Sequence, residues 1–494
     1  ASLISTWALD SMSQAAKQGF VQGANGKLNP KTTITRAEFT KLLVSVLGLA
    51  ASQTKTNGFK DVTADKWFYA YVNTAYQAGF VSGSGDKFNP NDTITREQMA
   101  SILARALNAS SSAETASVAD LNQVSSWAKS DVQKILSLQI MKGQGDKFAP
   151  KDSVTREMAV VVAMRAYEYR QEHSTGNGST AAEVQAAAKN QIAATAAFMQ
   201  KTIADPTVNS IGGEWTVFGL ARSGAEVPNA YYEKYLANLE KTLKEKGGNL
   251  HSVKYTEYDR VILALTALNK SVTDAAGYNL LEKLADYDTL IKQGINGPIF
   301  ALIALDSKKY EIPAVSGVKT QTTRELLIDF ILNREIAGGG WALGANAKEA
   351  DADITSMSIQ ALAPYYGTND KVRAAIDRGV EWLSKAQLAD GGFSSSQTVN
   401  SESIAQVVVA LTSLGIDPHT DARFVKNGRS ALEALLGFAA LNGGFYHIKA
   451  GGTSNGGATP GDVDAMATDQ AMYALVAYDR LVNGRNRLYD LTDV

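Results

Sequence analysis

Along the first 170 residues, apolar and polar positions fall into short helical runs, and the whole arrangement returns every sixty residues. In one unit, Trp67-Phe68-Tyr69-Ala70-Tyr71-Val72-Asn73-Thr74-Ala75-Tyr76 carries apolar side chains at helical spacing, and Gly79 ends the run as a C-terminal glycine does. A turn through Gly83, Gly85 and Asp86 follows, and Pro90 and Asp92 mark its exit. Thr95 is then placed to cap a second helix with Met99, Ile102, Leu103 and Ala106 on its buried face. Trp7, Trp67 and Trp127 keep the interval, as do Gly23, Gly83 and Gly143. A period this long predicts three helix-loop-helix units that bury their apolar faces against one another.

Each unit also repeats a Thr-Arg pair: Ile34-Thr35-Arg36, Ile94-Thr95-Arg96 and Val154-Thr155-Arg156. Thr35 to Glu38 and Thr95 to Gln98 fit the capping box, whereas Met158 cannot complete it in the third unit. The box asks nothing of its second position, yet arginine fills it three times. At a helix N-terminus, where the dipole favours anions, an arginine suits a bidentate grip on carboxylate or phosphate. Three solvated or internally paired arginines are the alternative.

The pattern Phe59-x-Asp61-Val62, Trp67, Gly79, Gly83, Phe88-Asn89-Pro90 and Ile94-Thr95-Arg96 resembles the S-layer homology (SLH) module. Residues 1–170 would hold three, at about 1–50, 58–108 and 117–170. The resemblance implies a three-lobed, pseudo-threefold helical domain that keeps a bacterial surface protein on a Gram-positive type wall. It implies binding of a secondary cell-wall polysaccharide, often one ending in a pyruvylated amino sugar, in grooves between lobes. Arg36, Arg96, Arg156, Trp7, Trp67, Trp127, Gly23, Gly83 and Gly143 are the polysaccharide-binding candidates it implies. Thr-Arg-Ala-Glu is intact only in the first unit, and the Phe-x-Asp-Val opening becomes Val118-Ala119-Asp120-Leu121 in the third and is missing before Trp7. Unequal grooves are therefore expected, with those involving Arg36 and Arg96 the better candidates.

A polar, glycine-containing stretch, Glu172 to Thr180, reads as a linker within 171–182. Beyond it, apolar helices ending near Ala221, Leu268, Leu305, Leu362, Leu411 and Leu475 alternate with amphipathic segments at about 183–203, 229–245, 274–292, 320–335, 369–387 and 421–441. Six of each predict an (α/α)6 toroid over 183–485, with an inner barrel and an outer cover, and residues 486–494 as a tail. The fold class is all-α throughout. Gln387-x-x-x-Gly391-x-Phe393 and, more loosely, Asn209-x-x-x-Gly213-x-Trp215 resemble the turn of terpenoid cyclases, and Asp353 to Leu362 resembles an inner helix of the wider superfamily that includes protein prenyltransferases. That resemblance implies fold and not function. Asp351-Ala352-Asp353-Ile354 lacks the last carboxylate of the cyclase acid, and the prenyltransferase zinc site needs a cysteine that this chain does not have.

Aligned by their cores, the inner helices bring Glu214, Asp259, Asn296, Asp353 and Glu402 to their starts, with Asp462, Asp464 and Asp469 near the sixth. Helix capping explains acids at such positions. A polar mouth that receives a ligand is the sharper reading, with Glu214, Asp259, Asp353, Glu402 and Asp464 as its residues. No cofactor is required, and calcium is the cation that such oxygens would suit. Trp215, Tyr255, Tyr258, Trp341, Phe393 and Tyr446 either stack on a ligand or lock helix ends. The glycine-rich run from Gly451 to Gly461 reads as a flap or connector, since no lysine stands in a phosphate-loop position.

Composition adds little that conflicts. With 494 residues, 45% hydrophobic, and a net charge of -2, the chain has ample core and no basic nucleic-acid footprint. Zero cysteines exclude disulfides and thiolate chemistry. No run of eighteen apolar residues predicts a membrane span. No signal peptide is recognisable, and Leu491-Thr492-Asp493-Val494 does not read as a natural finish, so a mature chain with further domains beyond it is expected. The combined reading is an extracellular wall or S-layer protein that displays a toroid for a small-molecule or protein ligand, leaning away from enzyme. A wall-anchored glycan hydrolase or lyase, or an S-layer lattice component, are the alternatives.

Overall fold

The computed structural model describes residues 3–17, 19–21, 27–47, 49, 58–107, 118–173, 179–395, 397–440, 442–449, 451–455 and 457–494. The chain forms two compact units, Ala1–Ser174 and Thr175–Val494.

The first unit is three repeats of two helices, Leu9–Lys17 and Arg36–Val46, Tyr69–Gln77 and Arg96–Ala106, and Lys129–Ser137 and Arg156–His173, with the second helix of each repeat packed on the first helix of the next around a cycle. The loops before the second helices interlock in a cycle. Ile94 N–H donates to Ile34 C=O, Val154 to Ile94 and Ile34 to Val154, at 3.0–3.1 Å. This cycle buries Ile34, Ile94 and Val154 on the pseudo-threefold axis, so the three lobes satisfy each other's backbone groups. Thr35 and Thr95 complete capping boxes with Glu38 and Gln98, while Thr155 accepts the Met158 N–H and methionine has no carboxamide or carboxylate to reach back. Asp61 accepts from the N–H groups of Phe88 and Asn89 at 2.8 and 2.7 Å, and Asp120 from those of Phe148 and Ala149 at 2.7 and 2.8 Å. Burial of Asp120 opposes its charge, but these two donors outweigh it and hold the carboxyl below the usual range.

In the second unit, six helices pack side by side in a closed ring: Glu214–Ser223, Thr256–Ala267, Asn296–Ser307, Ala352–Leu362, Ser401–Ser413 and Ala465–Val482, the last returning to the first. They are the inner helices, first to sixth. Ala181–Thr202, Asn229–Glu245, Arg324–Leu332 and Asp370–Ala386 cover them from outside. Two expected outer helices are broken. Over 274–292, Asn279 and Asp286 each cap a new short turn, giving Leu280–Ala285, Tyr287–Leu290 and Ile291–Gln293. Over 421–441, Asn427 and Gly428 at positive φ turn a hairpin of Val425–Lys426 and Arg429–Ser430, and the described residues keep a 3-10 turn at Ala422–Phe424 and an α-helix at Ala431–Leu436.

The turn at Gly391-Gly392-Phe393 has a local cause. Gly391 lies at φ 83°, and a Cβ there would stand 2.7 Å from the Ser430 carbonyl, so only glycine lets the turn seat against its neighbour. Gln387 Nε2 donates to the carbonyls of Gly391 and Phe424, both at 2.9 Å, and fastens that turn. The aromatics lock helix ends rather than line an opening: Trp341, Phe393, Tyr258, Tyr255 and Tyr446 are buried, and Trp215 packs on Phe218, Phe300 and Tyr473. Residues 486–494 close the C-terminal end of the ring. Arg222 donates to the carbonyls of Arg487, Leu488 and Asp490 and pairs with Asp493 at 2.7 Å, and Leu491 is fully buried.

Candidate binding groove and toroid mouth

Trp7, Trp67 and Trp127 are each more than half exposed, at 54%, 55% and 54%. Three large rings left in water at one repeat position are surface the fold does not use. Their surroundings differ. Beside Trp67 lies a cavity of about 460 Å³, lined by Trp67, Tyr71, Lys41, Glu38, Arg156 and Phe20 among others. Lys41 Nζ stands 5.7 Å from the Trp67 ring centre and 5.6 Å from that of Tyr71, within cation-π range. Arg156 Nη1 is 3.5 Å from Glu38 Oε1. The equivalents of Lys41 are Ser101 and Val161, and those of Tyr71 are Asp131 and Ser11, so this combination occurs at one junction alone.

Arg36 and Arg96 are turned inward. Arg96 donates from Nε to Phe148 C=O at 2.6 Å and from Nη2 to Lys142 C=O at 2.9 Å, and Arg36 does the same to Phe88 and Ser82 at 2.9 and 3.4 Å. Each also lies over a phenylalanine ring, Phe148 or Phe88, at 4.9 and 4.8 Å. Burial lowers the pKa of both. Arg36 and Arg96 thus both hold carbonyls of the next lobe, and Arg156 lines the cavity that Lys41, Trp67 and Tyr71 share. Gly83 and Gly143 serve the turn, since a Cβ would approach the carbonyls of Lys87 and Lys147 to 2.5 and 3.0 Å. Gly23 lies outside the described residues.

A second asymmetry was overlooked in the sequence. Buried Glu157 accepts from Ser5 N–H and Oγ–H at 3.1 and 2.9 Å and from Lys31 Nζ at 2.6 Å, and Glu97 accepts from Ser125 and Lys151 in the same way. The first unit has Ala37 at that position, facing the register of Asp65 and Asn91. The junction of first and second lobes therefore lacks the clamp that ties the other two, and it carries the cavity. The signal was legible in the aligned repeats as Ala against Glu and Glu.

At the toroid's N-terminal end, the predicted acids split into two sets. Glu402, on the fifth inner helix, meets His447 Nδ1 with both oxygens at 2.8 Å, and His447 Nε2 faces Asn455 Oδ1 of the glycine-rich loop at 3.1 Å. Asp353 and Asp464 are near enough to couple electrically to the same imidazole. Burial raises the pKa of Glu402 against His447, and burial raises that of Asp353 against the opposing pull of the nearby Ser403 and Ser395 hydroxyls. For His447, burial works against its proton, but Glu402 and Asn455 prevail and hold the imidazolium above the usual range.

Glu214, Asp259 and Asp469 are instead sunk among the inner helices. Glu214 meets Arg260 and Tyr235, both at 3.3 Å, and burial pushes it up to about 7. Asp469 accepts from Thr216 Oγ1 at 2.7 Å and is likewise raised by burial to about 7. Asp259 is fully buried with neither oxygen hydrogen-bonded, and burial raises its pKa well above normal. Among the described residues, no three carboxylates or imidazoles converge as a bound metal ion would require. His447, which the sequence left among four scattered histidines, is the hub of the mouth.

The first unit is a repeat module of three interlocked lobes with an aromatic groove at one junction. A family model for the S-layer homology domain matches residues 2–40, 58–100 and 119–159, and this unit is three SLH domains. The chain is similar to the exoglucanase XynX of Acetivibrio thermocellus, 34% identical over 164 residues, 32% of this chain and 15% of that protein. It is also similar to the surface-layer 125 kDa protein of Lysinibacillus sphaericus, 32% identical over 171 residues, covering 33% and 14% of the two chains. An S-layer protein of Bacillus licheniformis aligns over 253 residues at 27%, half of this chain and 28% of its own. The chain thus spans less than a third of each of these relatives. Among solved structures, a type II terpene cyclase from Scytonema aligns over 60% of this chain and 99% of its own at 14% identity and a TM-score of 0.40. An unsaturated glucuronyl hydrolase from Bacillus sp. GL1 aligns over 62% and 98% at 13% and 0.42. The chain is a cell-surface, wall-associated extracellular protein with an all-α toroid. Among the described residues, no helix is long and apolar enough to cross a membrane.

Proposed function

We propose that the SLH unit holds this protein non-covalently on a secondary cell-wall polysaccharide through the Trp67 groove, and that the toroid is displayed to receive a ligand or partner at the mouth around His447. The observation that carries the anchoring half is the joining of two aromatic rings to two cations, Lys41 and Arg156, at the one junction without the glutamate clamp. Aromatic faces stack on the C–H faces of sugars, and the cations suit an acidic substituent such as a pyruvyl carboxylate. Lys41→Ala and Arg156→Ala should each weaken sedimentation of the protein with isolated cell walls by about tenfold, the loss of one charge-assisted contact. Unchanged binding by both variants would sink the groove assignment.

A second reading of the toroid has its own support. Paired titratable groups with displaced pKa values are what acid-base chemistry uses, and Glu402, His447 and Asp353 form such a cluster. A wall-glycan hydrolase or lyase would turn over wall polysaccharide and lose that activity on Glu402→Gln. Display alone predicts no turnover by either protein, and a lattice component predicts sheets from purified protein that tolerate the same substitution.

A further inference from the structure

The end of the ring opposite the His447 mouth holds a feature that neither role uses. Beneath Arg487–Asp490, the C-terminal turns of the third, fourth and fifth inner helices leave a cavity of about 460 Å³. That volume is in the range that accepts a small organic ligand. Ile303, Ala361, Val409 and Leu488 give it apolar walls, and Tyr365 and Tyr489 add rings.

Most polar groups around it are already satisfied. Asp306 is neutralised by Arg324 at 2.7 Å and accepts from the Tyr365 hydroxyl at 2.7 Å, and Arg324 donates from Nη2 to the carbonyls of Leu305 and Tyr310. Gln360 donates to the Gln406 carbonyl and side-chain oxygens at 3.0 and 2.9 Å. Asp490 accepts from Thr492 N–H and Oγ–H. Lys309 and Arg487 line the same cavity, and among the described residues neither side chain has a hydrogen-bond or ion-pair partner. An apolar chamber rimmed by two uncommitted cations is complementary to a molecule with an apolar body and an anionic head.

We propose that this cavity is a binding site for a small anionic amphiphile, its apolar body between Tyr365 and Tyr489 and its carboxylate, sulfonate or phosphate on Lys309 and Arg487. The two cations are spent on nothing in the fold, so replacing them leaves the toroid intact. The test uses the full chain and two probes that share one ring system: anilinonaphthalene sulfonate, which is anionic, and N-phenylnaphthylamine, which is neutral. Fluorescence titration should give saturable, one-to-one binding of both to the native protein. The double variant Lys309→Gln, Arg487→Gln should melt as the parent does, bind the sulfonate at least about tenfold more weakly, and keep the neutral probe within about twofold. Val409→Phe, which fills the chamber, should lose both probes. An absence of saturable sulfonate binding to the parent overturns the proposal, and so does parental sulfonate affinity in the double variant, which needs no change to the core.

Discussion

Asp469 and Glu214 are ionisable groups buried in the toroid, each raised by burial to about 7. A carboxyl whose folded pKa is raised binds its proton more tightly in the native state. The stability it contributes is fully present below the unfolded value, 3.8 for Asp469, and is lost as pH rises through about 7. Asp469→Asn keeps an acceptor for Thr216 and removes the buried charge. It should stabilise the toroid by about 2–4 kcal/mol at pH 8 and by little at pH 4, read as the difference between thermal melts at the two values. Arginine gives the opposite contrast. Arg96→Ala deletes two bonds to buried carbonyls and should cost about 2–4 kcal/mol in denaturant unfolding, with wall binding retained wherever the protein is folded. The sequence could single out the arginine position but not its direction, because the phenylalanine and carbonyls that capture Arg36 and Arg96 lie 46 and 52 residues further on. His447 was missed for a similar reason. Its partner Glu402 stands 45 residues before it and is brought close only by the turn between inner helices.

At the level of elements, capping chemistry was readable and interruption was not. Thr35, Thr95 and the failed box at Met158 behave as their residue types dictate. Asp61 and Asp120 act across the unit, each collecting two backbone N–H groups of its own lobe's loop. Asp120→Ala strands two donors next to buried Phe148 and should cost about 2–4 kcal/mol, seen as a lower denaturation midpoint of the SLH unit. The outer segments at 274–292 and 421–441 look helical by hydrophobic spacing, yet local side-chain caps at Asn279 and Asp286 and a hairpin at Asn427-Gly428 divide them. Spacing reports which face is buried, and a broken run can bury the same face as a continuous one.

For the whole molecule, the sixty-residue period gave the three-lobed ring and the alternation of apolar and amphipathic segments gave the toroid, since both are averages over many residues. What breaks the symmetry is carried by single positions: Ala37 where the repeats have Glu97 and Glu157, Lys41 in place of Ser101 and Val161, and Tyr71 in place of Asp131 and Ser11. Under the proposed function, those differences concentrate anchoring at one of three geometrically similar junctions. The decisive measurement is calorimetric titration of the full chain with purified wall-polysaccharide fragments for Trp7→Ala, Trp67→Ala and Trp127→Ala, three substitutions of equal exposure on one scaffold. The account predicts that Trp67→Ala loses at least about tenfold in affinity while the other two stay within about threefold. Equal losses at all three, or full affinity in Trp67→Ala, would contradict it.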